Sequence, residues 1–472
     1  MSRLISLFRS LTIEEVKQFG QFFRSPYYNA TPKMRALYKH LKKAYPECIF
    51  TDEDKQKLFV QIFDNKVYNL KKMNNLMASL SSILQDFLLL QNMKHGTTAR
   101  RRGLFEVYRD RKLNKSSRQQ LVSIKKDFEE LGDKDTVGYY EVFRVNHDLY
   151  FHPQTKRVKW KEKEDYDYLE AAQENLDLFY AHQRLHHLCE MIFRGNSGKT
   201  SKLTPEEEHS IAQLVEHHDA PLLEIYQLLY AVLNGAGKET YGQLKKCTFN
   251  YIDNYNPFEF NYLITFLKNY QVSLLVAGDT DALRENFDLY RFGLRKGIYM
   301  KEAKNFPLGH FVNICVLASE LEEVDWLEEF IEQRQDDLRM VVKENTVNLA
   351  RAFLHFAKHE YDEALRLSMM VKNAEPAYAL TCWTLEIRAY YMMQDKHYNW
   401  DASIKKFYNY LRNQKDLEKN IITANRNFNA FVRSLYRATY DNTTTKEQLL
   451  AKLESRKNIV CKYWLKKQIE KF

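Results

Sequence analysis

Glycine and proline are scarce in this chain. Its 472 residues include 14 glycines and 9 prolines, both well below ordinary usage, so few turns, bulges or long loops can be built. Paired cysteines are missing too. Cys48, Cys189, Cys247, Cys315, Cys382 and Cys461 are widely spaced and form no C-x-x-C. Nothing in Met1–Arg9 reads as a secretory leader. Reduced, mostly buried cysteines in a cytoplasmic protein are therefore expected. No apolar run approaches the about 20 residues that a membrane helix needs; the longest are interrupted by charge, as at Phe266-Leu267-Lys268. Charge of one sign is not in large excess. The net charge of +9 permits an acidic partner or nucleic acid but argues strongly for neither.

The signatures of common enzymes are also absent. There is no Gly-x-Ser-x-Gly elbow and no dinucleotide fingerprint. Gly195-Asn196-Ser197-Gly198-Lys199-Thr200 imitates a phosphate loop, but Phe193 stands where the first glycine belongs and a helix leads in, not a strand. It reads as a solvated interhelix loop. His182, His186 and Glu190 fall at i, i+4 and i+8, so one helix face could offer them to a metal. No H-E-x-x-H or second cluster supports this, and the reading assigns no catalytic residue, no metal and no cofactor.

What is present is helix. Aromatics are plentiful, with 31 tyrosines and 29 phenylalanines, which supply large contact area where helices meet. Thr12-Ile13-Glu14-Glu15 is a capping box, and Ser25-Pro26 ends the helix it starts. Thr31-Pro32, Thr51-Asp52 and Thr204-Pro205 open further helices. From about Tyr68 to Gln91, Leu70, Met73, Met77, Leu80, Leu84 and Phe87 alternate three and four apart, and Leu76, Ile83 and Leu90 widen the stripe. That width predicts a core helix of an N-terminal bundle. No strand alternation stands out.

The stretch from Arg100 to Lys163 is basic. Arg100, Arg101, Arg102, Arg109, Arg111 and Lys112 interleave with aromatics such as Phe105 and Tyr108, a composition suited to phosphates and stacked bases. Acidic neighbours, among them Glu106 and Asp110, dilute it.

From Thr204 onward the chain reads as helix pairs, with links near Gly235–Gly237, Gly278-Asp279, Glu323–Asp325, His359-Glu360 and Lys396-His397. Arg351-Ala352 and Tyr361 recur as Arg388-Ala389 and Tyr398, each 37 residues on. Tyr361-Asp362-Glu363-Ala364-Leu365, with small Ala352 on the helix before and Pro376 closing the unit, resembles a tetratricopeptide repeat (TPR). Together with Phe19-Gly20-Gln21-Phe22-Phe23-Arg24-Ser25-Pro26 and Asn74-Asn75-Leu76-Met77, it is similar to a family of large, all-helical bacterial proteins with TPR-like repeats. That resemblance implies fold and cytoplasmic location. The family carries no assigned activity.

The expected fold is therefore all-α: an N-terminal helical bundle (1–95), a basic helical segment (96–203), a TPR-like α-solenoid (204–440) and a C-terminal capping helix (441–472). Solenoids bury their apolar faces only against neighbouring units and usually bind other molecules. The expected function is a non-enzymatic protein–protein interaction scaffold, with Arg351, His355, Arg388 and Tyr391 on first helices of the repeats as partner contacts. The alternative is a nucleic-acid-binding regulator using the basic stretch.

Overall fold

The computed structural model describes residues 3–471 apart from 49–50, 65–66, 96, 131–134, 156–163, 196–201, 252–256, 278, 301–304, 373–374, 394–399, 415–416, 440–443 and 457. The described residues are helical throughout and include no strand. The chain divides into two compact units, residues 1–180 and 181–472. The division falls inside a long helix, so the expected segment 96–203 is shared between them.

The first unit holds α1 (Arg3–Arg9), α2 (Ile13–Phe22), α3 (Pro32–Ala44), α4 (Asp52–Phe63), α5 (Leu70–His95), α6 (Thr97–Asp110), α7 (Asn114–Glu130) and α8 (Thr136–Tyr150). The helix in which the division falls is α9 (Glu164–Phe193). The caps act as their chemistry requires. Thr12 and Thr51 each accept from the third helical N–H, while Glu15 and Asp54 reach back. Around α5 pack α1, α2 and α3, and the core is aromatic: Phe8, Phe19, Phe23 and Phe59 are fully buried. Gly20 lies in the last turn of α2, inside the helix, where glycine lowers helix stability. Its reason is close approach: a Cβ there would meet the Tyr38 hydroxyl at 2.3 Å, and that hydroxyl donates to the Val16 carbonyl at 2.8 Å. Along α5, Met73, Met77, Leu80, Leu84 and Phe87 are buried as the periodicity predicts, but Leu70 and Leu90 at its two ends are 59% and 44% exposed. The helix outruns the partners that would cover them. A separate core joins α6, α7 and α8 through Phe105, Leu121, Ile124, Val145 and Leu149.

The second unit continues with α10 (Pro205–His217), α11 (Pro221–Leu233), α12 (Lys238–Asn250), α13 (Pro257–Ala277), α14 (Asp281–Arg295), α15 (Leu308–Glu320), α16 (Val324–Arg334), α17 (Met340–Ala357), α18 (Tyr361–Met369), α19 (Pro376–Met393), α20 (Trp400–Asn413), α21 (Lys419–Ala438), α22 (Lys446–Glu454) and α23 (Lys462–Glu470). The expected C-terminal cap is thus two helices, separated where Cys461 takes a left-handed conformation (φ 55°).

One turn recurs between successive helices. The first helix of a pair closes with a bond from the N–H two or three residues past its end back to the carbonyl five residues earlier, the Schellman arrangement. Ala236 donates to Ala231 at 3.0 Å, Asp279 to Leu274, Glu323 to Ala318 and Glu360 to His355, each at 2.9 Å. Gly235, Glu322 and His359 occupy the left-handed position (φ 98°, 57° and 63°). Glycine takes it freely, whereas Glu322 and His359 take it at a local cost. The link near Lys396-His397 and the repeated Tyr398 lie outside the described residues. Neighbouring first helices also touch: α15 packs on α17, and α17 on α19. Cys315, Ala352 and Ala389, successively 37 residues apart, are all fully buried, so a small side chain marks the place where these helices pass.

One buried charge has no counter-ion among the described residues. Lys268 on α13 is 4% exposed. Its ammonium lies 4.4 Å from the Tyr290 ring and 5.2 Å from that of Tyr299. Burial lowers its pKa to about 8. Since the unfolded value is higher, the folded state sheds its proton first as pH rises, so stability climbs from about pH 8 to pH 10.5. Lys268→Met is expected to stabilise the protein by about 1–3 kcal/mol at neutral pH. Its advantage over wild type should shrink across that window. Denaturant titrations at pH 7 and pH 10 measure this, and an advantage that does not change with pH contradicts it.

Gly20→Ala is expected to destabilise the first unit by about 1–3 kcal/mol, because Tyr38 must shift to admit the methyl group. Hydrogen exchange of α2 and α3 amides checks this, and unchanged protection would show that Tyr38 moves freely.

Candidate functional site

The four predicted partner contacts separate into two kinds. Arg351 on α17 is exposed, and His355, one turn on, is half-buried with its Nδ1 2.5 Å from the Glu360 carboxylate. Arg388 and Tyr391 on α19 are buried instead, at 2% and 4% exposure. Each does touch a helix, but it is the chain's own α23.

Arg388 is the centre of this arrangement. Its guanidinium donates to Glu320 Oε1, on the last residue of α15, at 2.5 Å. The Phe356 ring of α17 covers it at 4.6 Å and the Trp464 ring of α23 at 5.3 Å. Four helices meet on one cation. Burying an ion pair costs several kcal/mol of desolvation per charge, and only good geometry offsets that. The two rings add attraction through their π-faces while excluding water. Tyr391 meets Trp464 edge-on at 5.3 Å between ring centres. Trp464, Leu465 and Ile469 are buried, giving α23 one apolar face.

The opposite side of α23 is basic, and the place it occupies is negative. Lys467 pairs with Glu322 at 2.5 Å. That bond holds the Glu322 carboxyl below its ordinary pKa, with His359 and Lys471 adding to the effect. Ala357 and Glu320, the final residues of α17 and α15, line one small crevice with Lys467 and Lys471. Helix C-termini carry partial negative charge and favour cations. On the other side of α23, Leu275, Asp279, Leu453, Tyr463 and Lys466 border a cleft of ≈260 Å³, and α23 packs on α13. The chain's own helix therefore lies across the C-terminal ends of α13, α15, α17 and α19. The Trp464, Leu465, Ile469 stripe was the signal in the sequence, hidden among the lysines of a segment that reads as polar.

Three of the six predicted cations of the basic stretch are paired with carboxylates. Arg102 is buried between Glu141 (2.8 Å) and Asp148 (2.7 Å), so it ties α6 to α8. Arg101 pairs with Asp127 of α7, and Arg109 with Asp110 at 3.1 Å. Arg100, Arg111 and Lys112 are exposed; Arg111 donates to the Val107 carbonyl at 3.4 Å, and Lys112 closes α6 with φ 58°. The run Lys156–Lys163 lies outside the described residues.

The histidines of α9 are used in packing. His182 is buried, and desolvation lowers its pKa to about 3. His186 sits edge-on against Tyr226 (5.2 Å) and Tyr262 (4.9 Å). Glu190 accepts from the Tyr262 hydroxyl and pairs with Arg194. Among the described residues, no three His, Cys, Asp or Glu side chains are placed to hold a metal ion. None of their helices is long and apolar enough to cross a membrane. Of the phosphate-loop look-alike, Asn196–Thr200 lie outside the described residues.

No family model, no curated protein and no solved structure matches this chain.

Breaking the central pair from one side strands a buried charge. Glu320→Leu or Arg388→Met alone is expected to cost about 3–5 kcal/mol, whereas the double replacement should cost clearly less than the sum. Thermal melts of the three variants and wild type form the cycle. Additive losses would mean that the two side chains act independently.

Proposed function

We propose that this protein is a non-enzymatic interaction scaffold. Its second unit is read as TPR-like helix pairs forming an α-solenoid, with the first helices of the pairs taking a helical segment of a protein partner. The observation that carries the reading is α23 itself. A short helix with an aromatic apolar face and a lysine-rich back lies across the ends of α13, α15, α17 and α19, which is the helix-in-groove mode carried out within one chain. The recurrent closure at Ala236, Asp279, Glu323 and Glu360 supports the repeat reading, and so do the small residues at Cys315, Ala352 and Ala389. The six free thiols fit a reducing compartment such as the bacterial cytoplasm.

With Arg388 and Tyr391 covered by α23, the contacts left for a partner on these helices are Arg351 and His355. Arg351 is exposed, and the first helix that carries it packs between two others. The competing reading, a nucleic-acid regulator, loses support because Arg101, Arg102 and Arg109 already face carboxylates. Too few of the predicted cations remain to neutralise a run of phosphates.

The test is a pull-down of the tagged protein from its own cytoplasm, divided into nuclease-treated and untreated halves and eluted along a salt gradient. A protein recovered from both halves and lost in Arg351→Glu supports the scaffold. Nucleic acid released at moderate salt from the untreated half, with no protein surviving nuclease, replaces it with the competing reading.

A further inference from the structure

The first unit carries a surface that the scaffold reading does not use. A groove of ≈960 Å³ is bordered by α2, α5 and the first turn of α6. Its apolar part is made by Phe22, Phe87, Leu90 and Met93, and its charged part by Lys94 and Arg100. Phe87, Leu90 and Lys94 are spaced three and four apart, so they follow one another along one face of α5. This is the core stripe of α5 continued beyond the helices that cover it. Phe87 is 2% exposed, packed 5.4 Å from Phe22, while Leu90 is 44% exposed. Gln91 donates to Gln18 at 2.8 Å and holds α5 against α2 beside the groove.

The charge is one-sided. Lys94 and Arg100 form no ion pair among the described residues. The acidic side chains of α2 and α5 are Glu14, Glu15 and Asp86, and none of them borders the groove. Glu14 pairs with Lys17 at 3.5 Å, and Glu15 is engaged with the Thr12 N–H at 2.7 Å. Glu106 and Asp110 of α6 do not reach it either. An apolar stripe three to four residues in period, edged by two unpaired cations, is complementary to one object: an amphipathic helix with apolar residues on one face and carboxylates beside them.

We infer that this groove is a docking site for an acidic amphipathic helix of a protein partner. Nucleic acid suits it less well. The Phe87 ring is enclosed by Phe19 and Phe22 and offers no free face for a base, and two cations engage few phosphates. The site lies within the first unit, so it stands or falls independently of the repeat reading.

The test uses the full chain and a fluorescein-labelled synthetic peptide of about 15 residues, with leucines at i, i+3, i+4 and i+7 and glutamates elsewhere. The control peptide carries lysines in place of the glutamates, and a single-stranded oligonucleotide of about the same length is the third probe. Fluorescence polarisation is expected to show saturable binding of the acidic peptide and none of the basic one. Leu90→Asp should weaken binding by about tenfold or more, the loss expected when a buried leucine contact is removed. Lys94→Glu with Arg100→Glu should weaken it by a similar factor and flatten its salt dependence. All three side chains are substantially exposed, so the variants should keep the wild-type melting temperature, and a melt on each confirms this. The inference is overturned by acidic-peptide binding that these substitutions leave unchanged, by equal binding of the basic peptide, by no binding, or by preference for the oligonucleotide lost in the charge-reversed variant.

Discussion

The second unit depends on a single buried cation. Arg388 takes its counter-charge from the end of α15, a ring from α17 and a ring from α23, and it stands on α19 itself. They share one guanidinium: losing Glu320 leaves a buried charge without its counter-charge, and losing a ring opens the pair to water. Arginine suits this place because its planar group can bind a carboxylate and still stack on aromatic rings. Lysine would serve one of those partners but not all of them. The constraint explains why α23 is held where it is and why the surface on the ends of the first helices is already filled.

Lys268 shows what happens without such partners. It is as deeply buried as Arg388 and has two tyrosine rings nearby, but no carboxylate is among the influences on it, and its ammonium becomes far easier to deprotonate. Burial alone disfavours the ammonium charge of Lys268, whereas Arg388 has a carboxylate in contact. The same rule sorts the arginines of the first unit. Arg102 is a strut between helices because Glu141 and Asp148 meet it, while Arg100 is exposed and meets no carboxylate among the described residues.

Much of the fold was legible in the residues. The capping box at Thr12 forms as read, helices start at Thr51 and Thr204 as read, and the stripe of α5 is buried over its middle turns. Ala352 and Ala389, 37 residues apart, are both fully buried, whereas Arg351 and Arg388 at the same spacing are exposed and buried. Leu70 and Leu90 were misplaced because periodicity tells which face of a helix is apolar and not how far its neighbours extend. Arg388 and Tyr391 were placed on an open face because the helix that covers them lies more than seventy residues further along the chain. The candidate site was visible only in part: Arg351 is exposed, Arg388 and Tyr391 are covered, and the groove beside Arg100 was not seen at all.

The sequence by itself determined what local chemistry controls: helices throughout, their starts and stops, the turn that pairs them, and the small residues that let them pass. These follow from bonds and contacts between residues a few places apart. Only the tertiary structure decided which cations are neutralised, which apolar residues stay exposed, and that α23 folds back over the ends of α13, α15, α17 and α19. Those outcomes rest on desolvation and pairing between distant segments. The same arginine is a buried strut or a free surface charge according to what arrives opposite it.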